Sequence, residues 1–547
     1  MASATPLVPS DGASPLLSTG TRWAIRLKPE DDVVVATRPV EAGTPLERAG
    51  FEGSEEFTGW KTRTKIGLGH KVAIRDLETG APVRKYGQII GFASQPIQVG
   101  DWVHVHNLRA DRFERPVEHS PQAGRAGSWR PEPMEPRTFQ GYPRGDGRVG
   151  TRNYLAVIST VNCSAATSRF VAERFREPSW RRLFPNLDGV FALTHQGGCG
   201  LPLNGRDHQT LARVLAGFAR HPNVAGYVVI GLGCEVAQAD HLIESQALRR
   251  ATSVGGPADV LNAPPLVLTI QEQGGIEATV QAGVEAVRRL MPAANQHVRR
   301  QTPASKLCVA LECGGSDGAS GLTANPALGV AADLVVGQGG TVILGETTEI
   351  YGAEHLLIER AVTPEVAAKL ADRIAWWEDY VARFGATIDN NPSPGNKAGG
   401  LTTIYEKSLG ALAKAGSSPL CDVVEYGQAP TCPGLIFMDT PGYDPVCTTG
   451  LVAGGANVLV FTTGRGSVLG LRPTPCLKVA TNTPMYRRMI DDMDLDAGVI
   501  LDGVPVDQVG RAIFEAILRV ASGEPTKSDR LGVGEDEFVP WTIGPTL

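Results

Sequence analysis

Three cysteines stand just past the ends of apolar runs: Cys163 after YLAVISTVN, Cys199 after VFALTHQGG and Cys234 after VVIGLG. A fourth, Cys313, follows CVALE. If those runs are parallel strands, their carboxyl ends open on a crevice where ligands bind. Thiolates are soft ligands for iron or zinc. Cys163, Cys199 and Cys234 are therefore a candidate metal set, sufficient to hold an iron–sulfur cluster with one iron open. An open iron polarises a leaving hydroxyl as a Lewis acid. The competing explanation is that these are small residues buried in tight turns, and no CxxC spacing argues against it.

Histidines offer a second chemistry. His195 follows VFALT in a glycine-rich turn and is a candidate ligand or proton shuttle, unless the backbone simply satisfies it. His104 and His106 in VHVHNL share one face if that segment is an extended strand. With His70 nearby, they are candidates for a divalent-metal half-site (the alternative to the thiols) or for the base that removes a carbon-bound proton beside a carboxylate.

A third group fits an anionic polyol. GGSDGASGLTANP carries Ser316 and Asp317, NNPSPGNKAGGLTTIYEKS carries Asn396, Lys397, Thr402 and Thr403, and FTTGRGS carries Arg465. Lys397 and Arg465 are suited to clamp a carboxylate. The hydroxyls and amides suit sugar hydroxyls, and glycine lets the backbone approach closely. Taken singly, each could as well be a loop or helix-cap residue.

These residues need a scaffold. The chain has 547 residues, 42% hydrophobic and 20% charged, with 64 glycines. That is enough for about three domains. Residues 1–20 read as a disordered tail of small residues and proline. Residues 21–108 alternate in short strands and turns, a small β-domain. Residues 109–140, rich in Pro, Arg and Glu, read as a linker. From 141 to 304, and again from 305 to 547, apolar strands alternate with helical patterns, predicting two α/β segments with largely parallel sheets.

A net charge of −6 and 6% aromatics disfavour nucleic acid, which needs a basic surface or stacking platforms. No run approaches about 18 apolar residues, so no membrane span is expected. No export signal is recognisable, which predicts a cytoplasmic protein whose 9 cysteines stay reduced. The expected partners are a small-molecule sugar acid and, as one option, further copies of the chain in a homo-oligomer.

The motifs GYPRGDGRVGTRNYLAVISTVNCSA, HQGGCG, GLGCE, ECGGSDGASGLTANPALG, NPSPGNKAGGLTTIYEKSLGALAK, FMDTPGYDPVCTTG and FTTGRGS resemble the altronate/galactarate dehydratase family over about residues 141–540. GHKVAIRDLETGAPVRKYGQIIG through VHVHNL is similar to the SAF-type β-clip domain at the amino end of those enzymes. VHVHNL, TTEIYGAEH and MDTPGYDP look nearer to the altronate than to the galactarate dehydratases. The resemblance implies a hydro-lyase assisted by Fe2+ or Mn2+, and the iron–sulfur cluster that the three thiols could hold is the alternative cofactor. Its substrate would be D-altronate or galactarate, and its product a 2-keto-3-deoxy acid. Sulfolactate sulfo-lyases share the architecture, so sulfite release is the rival reaction. A sugar-acid- or metal-binding module without turnover is the non-enzymatic rival.

Overall fold

The computed structural model describes residues 22–111, 129–248 and 265–543. The tail expected over 1–20 and the middle of the linker expected over 109–140 lie outside those residues. The chain divides into two compact units, Met1–Leu108 and Arg109–Leu547.

The first unit is β-rich, as its alternating pattern predicts. Strands β1 (Ala24–Ile25), β2 (Val33–Ala36), β3 (Lys71–Ala73) and β6 (Trp102–Val103) form an antiparallel sheet in that order. β4 (Pro82–Lys85), β5 (Gln88–Ala93) and β7 (Leu108–Arg109) form a second sheet. Trp23, Val34, Leu46, Ile66, Val72 and Ile74 fill the core. One expectation needs correcting. His104 and His106 do not lie on an extended strand, because β6 stops at Val103. His104 O accepts from Asn107 N and Leu108 N, and Asn107 Oδ1 accepts from His104 N, so the segment closes as a turn.

The second unit begins with a chain segment fixed to its surface. Trp129 Nε1 donates to Ser417 Oγ, and Arg137 pairs with Glu515. β8 (Thr138–Pro143) already starts inside the segment expected as linker. It pairs antiparallel with β14 (Arg300–Pro303) on one side and β9 (Val149–Gly150) on the other.

A four-stranded parallel sheet follows: β10 (Tyr154–Ser159), β11 (Gly189–Leu193), β12 (Val224–Gly231) and β13 (Leu266–Thr269), in the order β11-β10-β12-β13. All eight residues of β12 are buried, as expected where helices cover both faces of a parallel sheet. The helices Asn162–Glu173 and Ile276–Ala294 pack with Leu155, Val157 and Val228. Arg206–Ala219 packs with Ala156, Ile158 and Val229 on the opposite face. The chain leaves β10 to one side for β11 and to the other for β12, so the switch point lies between β10 and β12.

The second parallel sheet has seven strands. They are β15 (Cys308–Cys313), β16 (Thr341–Leu344), β17 (Leu420–Val424), β18 (Gly434–Met438), β19 (Val458–Thr463), β20 (Cys476–Ala480) and β21 (Leu495–Asp496). Their order is β17-β18-β16-β15-β19-β20-β21, which puts the switch point between β15 and β19. The two α/β segments share a core in which Phe218 and Tyr227 join Ile404, Tyr426 and Trp541.

Candidate active site

At the carboxyl end of the seven-stranded sheet, β15 ends in Glu312-Cys313, β16 leads into Glu346 and Glu349, and the helix Ile404–Leu412 brings Lys407, with Lys414 just beyond it. All six side chains are buried. Lys407 Nζ lies 2.7 Å from Glu349 Oε1 and 2.9 Å from Asn391 Oδ1. Lys414 pairs with Glu346 and lies 2.9 Å from Cys313 Sγ. Burial costs charged groups heavily unless they are paired, and here two ammonium groups answer the carboxylates. Burial pushes the Glu346 carboxyl up to about 7 against the pull of Lys414, and the Asp444 carboxyl up to about 6. Glu312 is driven well above the ordinary carboxylate range by burial and by neighbouring Glu346. Carboxyls that titrate near neutrality are equipped to move protons.

Cys313, Glu346 and Glu349 place their ligand atoms within 4.8 Å of one another, so this buried group could hold a metal ion. Lys407 and Lys414 already neutralise it, however, and a cation would enter only if an ammonium withdrew or lost its proton.

The loops at the same sheet end bring most of the expected polyol-binding residues together. Arg465 N donates to Gly315 O at 2.8 Å, and Asn396 Nδ2 donates to Ser316 O at 2.8 Å. Asp317 accepts from Ser320 Oγ, Thr481 Oγ1, Asn482 Nδ2 and Ala319 N, so from a buried position it ties its own loop to the one after β20. Thr402 and Thr403 build a helix start. Thr402 Oγ1 donates to Glu406 Oε2 at 2.6 Å, and Thr403 Oγ1 accepts from Glu406 N as the N-cap. Lys397 is half-buried and Arg465 exposed, and neither side chain has a hydrogen bond or ion pair among the described residues. Lys414 escaped the sequence reading; its signal was a lone cation in the small-residue run LGALAKAGS.

In the four-stranded sheet, Cys163, Cys199 and Cys234 follow β10, β11 and β12, three adjacent strands, and all three are exposed. Their loops are stitched together. Asn162 N donates to Gly197 O at 3.0 Å, Ala237 N to Gly198 O at 3.0 Å, and Thr160 Oγ1 to Glu235 Oε1 at 2.7 Å. His195, expected as a ligand or proton shuttle, sits in the turn that follows β11. Its Nε2 meets Ser159 O at 3.0 Å and its Nδ1 accepts from Gly197 N at 3.2 Å, so both nitrogens serve the turn. Burial lowers its pKa to about 4, which keeps the ring neutral.

In the first unit, Trp102 organises the histidines. Its Nε1 donates to His70 Nδ1 at 3.1 Å, and its ring stacks on His104 with centroids 4.8 Å apart and lies 5.1 Å from His106. His70, His104 and His106 do not place their ligand atoms within the 4.8 Å span that Cys313, Glu346 and Glu349 meet.

Three family models cover the chain in succession: "Altronate/galactarate dehydratase SAF domain" over residues 22–111, "D-galactarate dehydratase/Altronate hydrolase, second domain" over 141–295, and "D-galactarate/Altronate dehydratase, C-terminal" over 304–546. The chain is 35% identical to the altronate dehydratase of Bacillus subtilis (strain 168) over 506 residues, 91% of this chain and 95% of that one. It is 37% identical to the galactarate dehydratase (L-threo-forming) of Escherichia coli (strain K12) over 527 residues, 94% and 96% of the two chains. It is 32% identical over 410 residues to the (2R)-sulfolactate sulfo-lyase subunit beta of Chromohalobacter salexigens, 74% of this chain and 97% of that one.

Proposed function

The chain belongs to the altronate/galactarate dehydratase family, and on that premise we propose that it is a hydro-lyase that removes water from a sugar acid, D-altronate or galactarate, to give a 2-keto-3-deoxy acid. The observation that carries the reading is the pair of uncommitted cations, Lys397 and Arg465, on glycine-rich loops beside the β15/β19 switch point. A sugar carboxylate needs such a clamp, and Arg465 can hold it bidentately.

Elimination then needs a base at the carbon next to the carboxylate, an acid for the departing β-hydroxyl, and stabilisation of the enediolate between them. Lys397 and Arg465 orient the carboxylate and oppose the charge that grows on it. Ser316 and Asn396 shape the loop that receives the hydroxyls. Glu346 and Asp444, titrating near neutrality, are the groups of the buried nest able to exchange a proton. His70, His104 and His106 remain proposed as the base or as metal ligands. A bound Fe2+ or Mn2+ would polarise the hydroxyl as a Lewis acid. Its proposed holders are Cys163, Cys199 and Cys234, with His104 and His106 as the alternative.

No helix among the described residues is long and apolar enough to cross a membrane. We place the protein in the cytoplasm with a small-molecule partner.

The test is turnover by protein purified without oxygen and supplied with Fe2+ or Mn2+. Altronate or galactarate should yield a keto acid, and Arg465→Ala should raise KM at least about tenfold, the loss of one charge-assisted contact. Sulfolactate is the second reading, favoured by the sulfo-lyase likeness along 410 residues. Sulfite release without keto acid from the sugar acids would replace the proposal. Tight sugar-acid binding without turnover would reduce the protein to a binding module.

A further inference from the structure

We propose that Asp317 is a positioning residue of the carboxylate clamp: its side chain, wedged between Gly399 and Gly464, sets the spacing of Lys397 and Arg465 and touches no substrate atom. The inference deepens the dehydration reading and rests on it for the identity of the anion that the clamp receives.

The Asp317 carboxylate is fully occupied within the protein. The residue is 6% exposed. Its Oδ1 accepts from Ala319 N at 3.1 Å, Ser320 Oγ at 3.0 Å and Thr481 Oγ1 at 2.9 Å, and its Oδ2 accepts from Asn482 Nδ2 at 3.0 Å. A carboxylate offers about four lone-pair sites, so a sugar hydroxyl would have to displace one of these donors. Residue type suits Asp317 to a polyol, but the fold turns it inward.

The wedge is steric. A Cβ at Gly464 would lie 2.1 Å from Asp317 Cγ and 2.4 Å from its Oδ1. A Cβ at Gly399 would lie 2.9 Å from Asp317 Cβ and 3.3 Å from Arg465 Cδ. Both backbones therefore rest against the Asp317 side chain, and Gly399 rests against Arg465 as well. Each glycine adjoins a clamp cation. Gly464 directly precedes Arg465, and Gly399 closes the short helix Pro394–Ala398 that carries Lys397.

Hydrogen bonds hold these contacts closed. Gly318 N donates to Gly399 O at 2.8 Å, and Asn396 Nδ2 donates to Ser316 O at 2.8 Å, fixing the Lys397 loop to the Asp317 loop. Gly464 N and Arg465 N both donate to Gly315 O. Asn482 Nδ2 meets Asp317 Oδ2 and Gly464 O, each at 3.0 Å. The Lys397 and Arg465 side chains have no hydrogen bond or ion pair among the described residues, so their loops set where they stand. A bidentate contact is demanding in geometry, and an error of about 1 Å can cost about a hundredfold in rate.

The experiment measures initial rates of the full chain, supplied with Fe2+, on D-altronate and galactarate. The variants are Asp317→Asn, Gly399→Ala, Arg465→Ala and the two doubles that include Arg465→Ala. In Asp317→Asn either orientation of the amide sets an NH2 against a donor. Gly399 has φ −86, which alanine adopts freely, so its new methyl acts only by pushing on Asp317 and Arg465. Each of these single variants should raise KM at least about fivefold. Spacing loses its meaning once one cation is gone. Adding Asp317→Asn or Gly399→Ala to Arg465→Ala should therefore change KM by less than about twofold. A merely structural role predicts losses that multiply.

Multiplying losses overturn the proposal, as does wild-type KM in a folded Asp317→Asn. Loss of kcat at unchanged KM overturns it too, since that marks a group at the reacting atoms. Thermal unfolding shows which variants fold, and if Asp317→Asn does not, the Gly399→Ala cycle decides by itself. Wild type inert toward both sugar acids removes the dehydration reading and the clamp with it. An active wild type with multiplying losses removes the positioning role alone.

Discussion

Thr160 donates from Oγ1 to Oε1 of Glu235 at 2.7 Å, tying the end of β10 to the turn after β12. Glu235 is 4% exposed, and its other donors are the Leu232 and Gly233 amides. Thr160→Val keeps the shape and removes the hydroxyl. Leaving a buried acceptor one donor short costs about 1–3 kcal/mol. Denaturant unfolding should show that loss, and wild-type stability would mean the bond does not hold the two loops.

Gly198 and Gly197 should respond unequally to alanine. Gly198 has φ +96, and its Cβ would run into the backbone of Thr160 and Val161. The left-handed conformation alone costs a non-glycine residue about 1–2 kcal/mol, and backbone atoms cannot step aside cheaply. At Gly197 the new methyl would meet His195 Nδ1 at 3.6 Å, an ordinary contact. Gly198→Ala should therefore lose at least about 2 kcal/mol and Gly197→Ala less than about 1 kcal/mol. Equal effects in thermal unfolding would contradict the close packing of these loops.

Lys414 is fully buried against Glu346 and Cys313. Lys414→Met strands the carboxylate, and breaking a buried pair from one side costs about 3–5 kcal/mol. Adding Glu346→Gln should restore part of that stability. A double-mutant cycle measures the coupling; strictly additive losses would show that the two residues do not depend on each other.

Acid should destabilise the protein through its neutral histidines. Burial lowers His195 to about 4 and His221 to about 3, from 6.5 in the unfolded chain. Below 6.5 the unfolded chain takes up protons that the folded chain refuses. Stability is therefore retained above pH 6.5 and lost as pH falls toward the folded values, by about 3 kcal/mol for His195. Glu346 acts oppositely: its raised pKa adds stability below 4.5 that is lost as pH rises through about 7. His195→Gln isolates the first effect. Urea titrations at pH 7.5 and 4.5 should differ less for that variant than for wild type, and an unchanged difference would refute the account.

The sequence by itself determined the elements and the order of the chemistry along the chain. Apolar runs such as VAGYVVIGLG must be buried on both faces, and alternation with helices then requires parallel sheets. Parallel sheets send whatever follows each run to one edge, which is why Cys163, Cys199 and Cys234 were expected at one sheet edge and Ser316 and Arg465 at another. VHVHNL misled because two-residue alternation reads as strand, whereas Asn107 closes a turn through bonds that periodicity does not register. Tertiary structure alone decided which polar groups are committed. Lys414 draws its meaning from Glu346 and Cys313, 68 and 101 residues away. Thr402, Thr403 and His195 turned out to serve helix and turn, because a buried donor or acceptor takes the partner that the fold sets beside it.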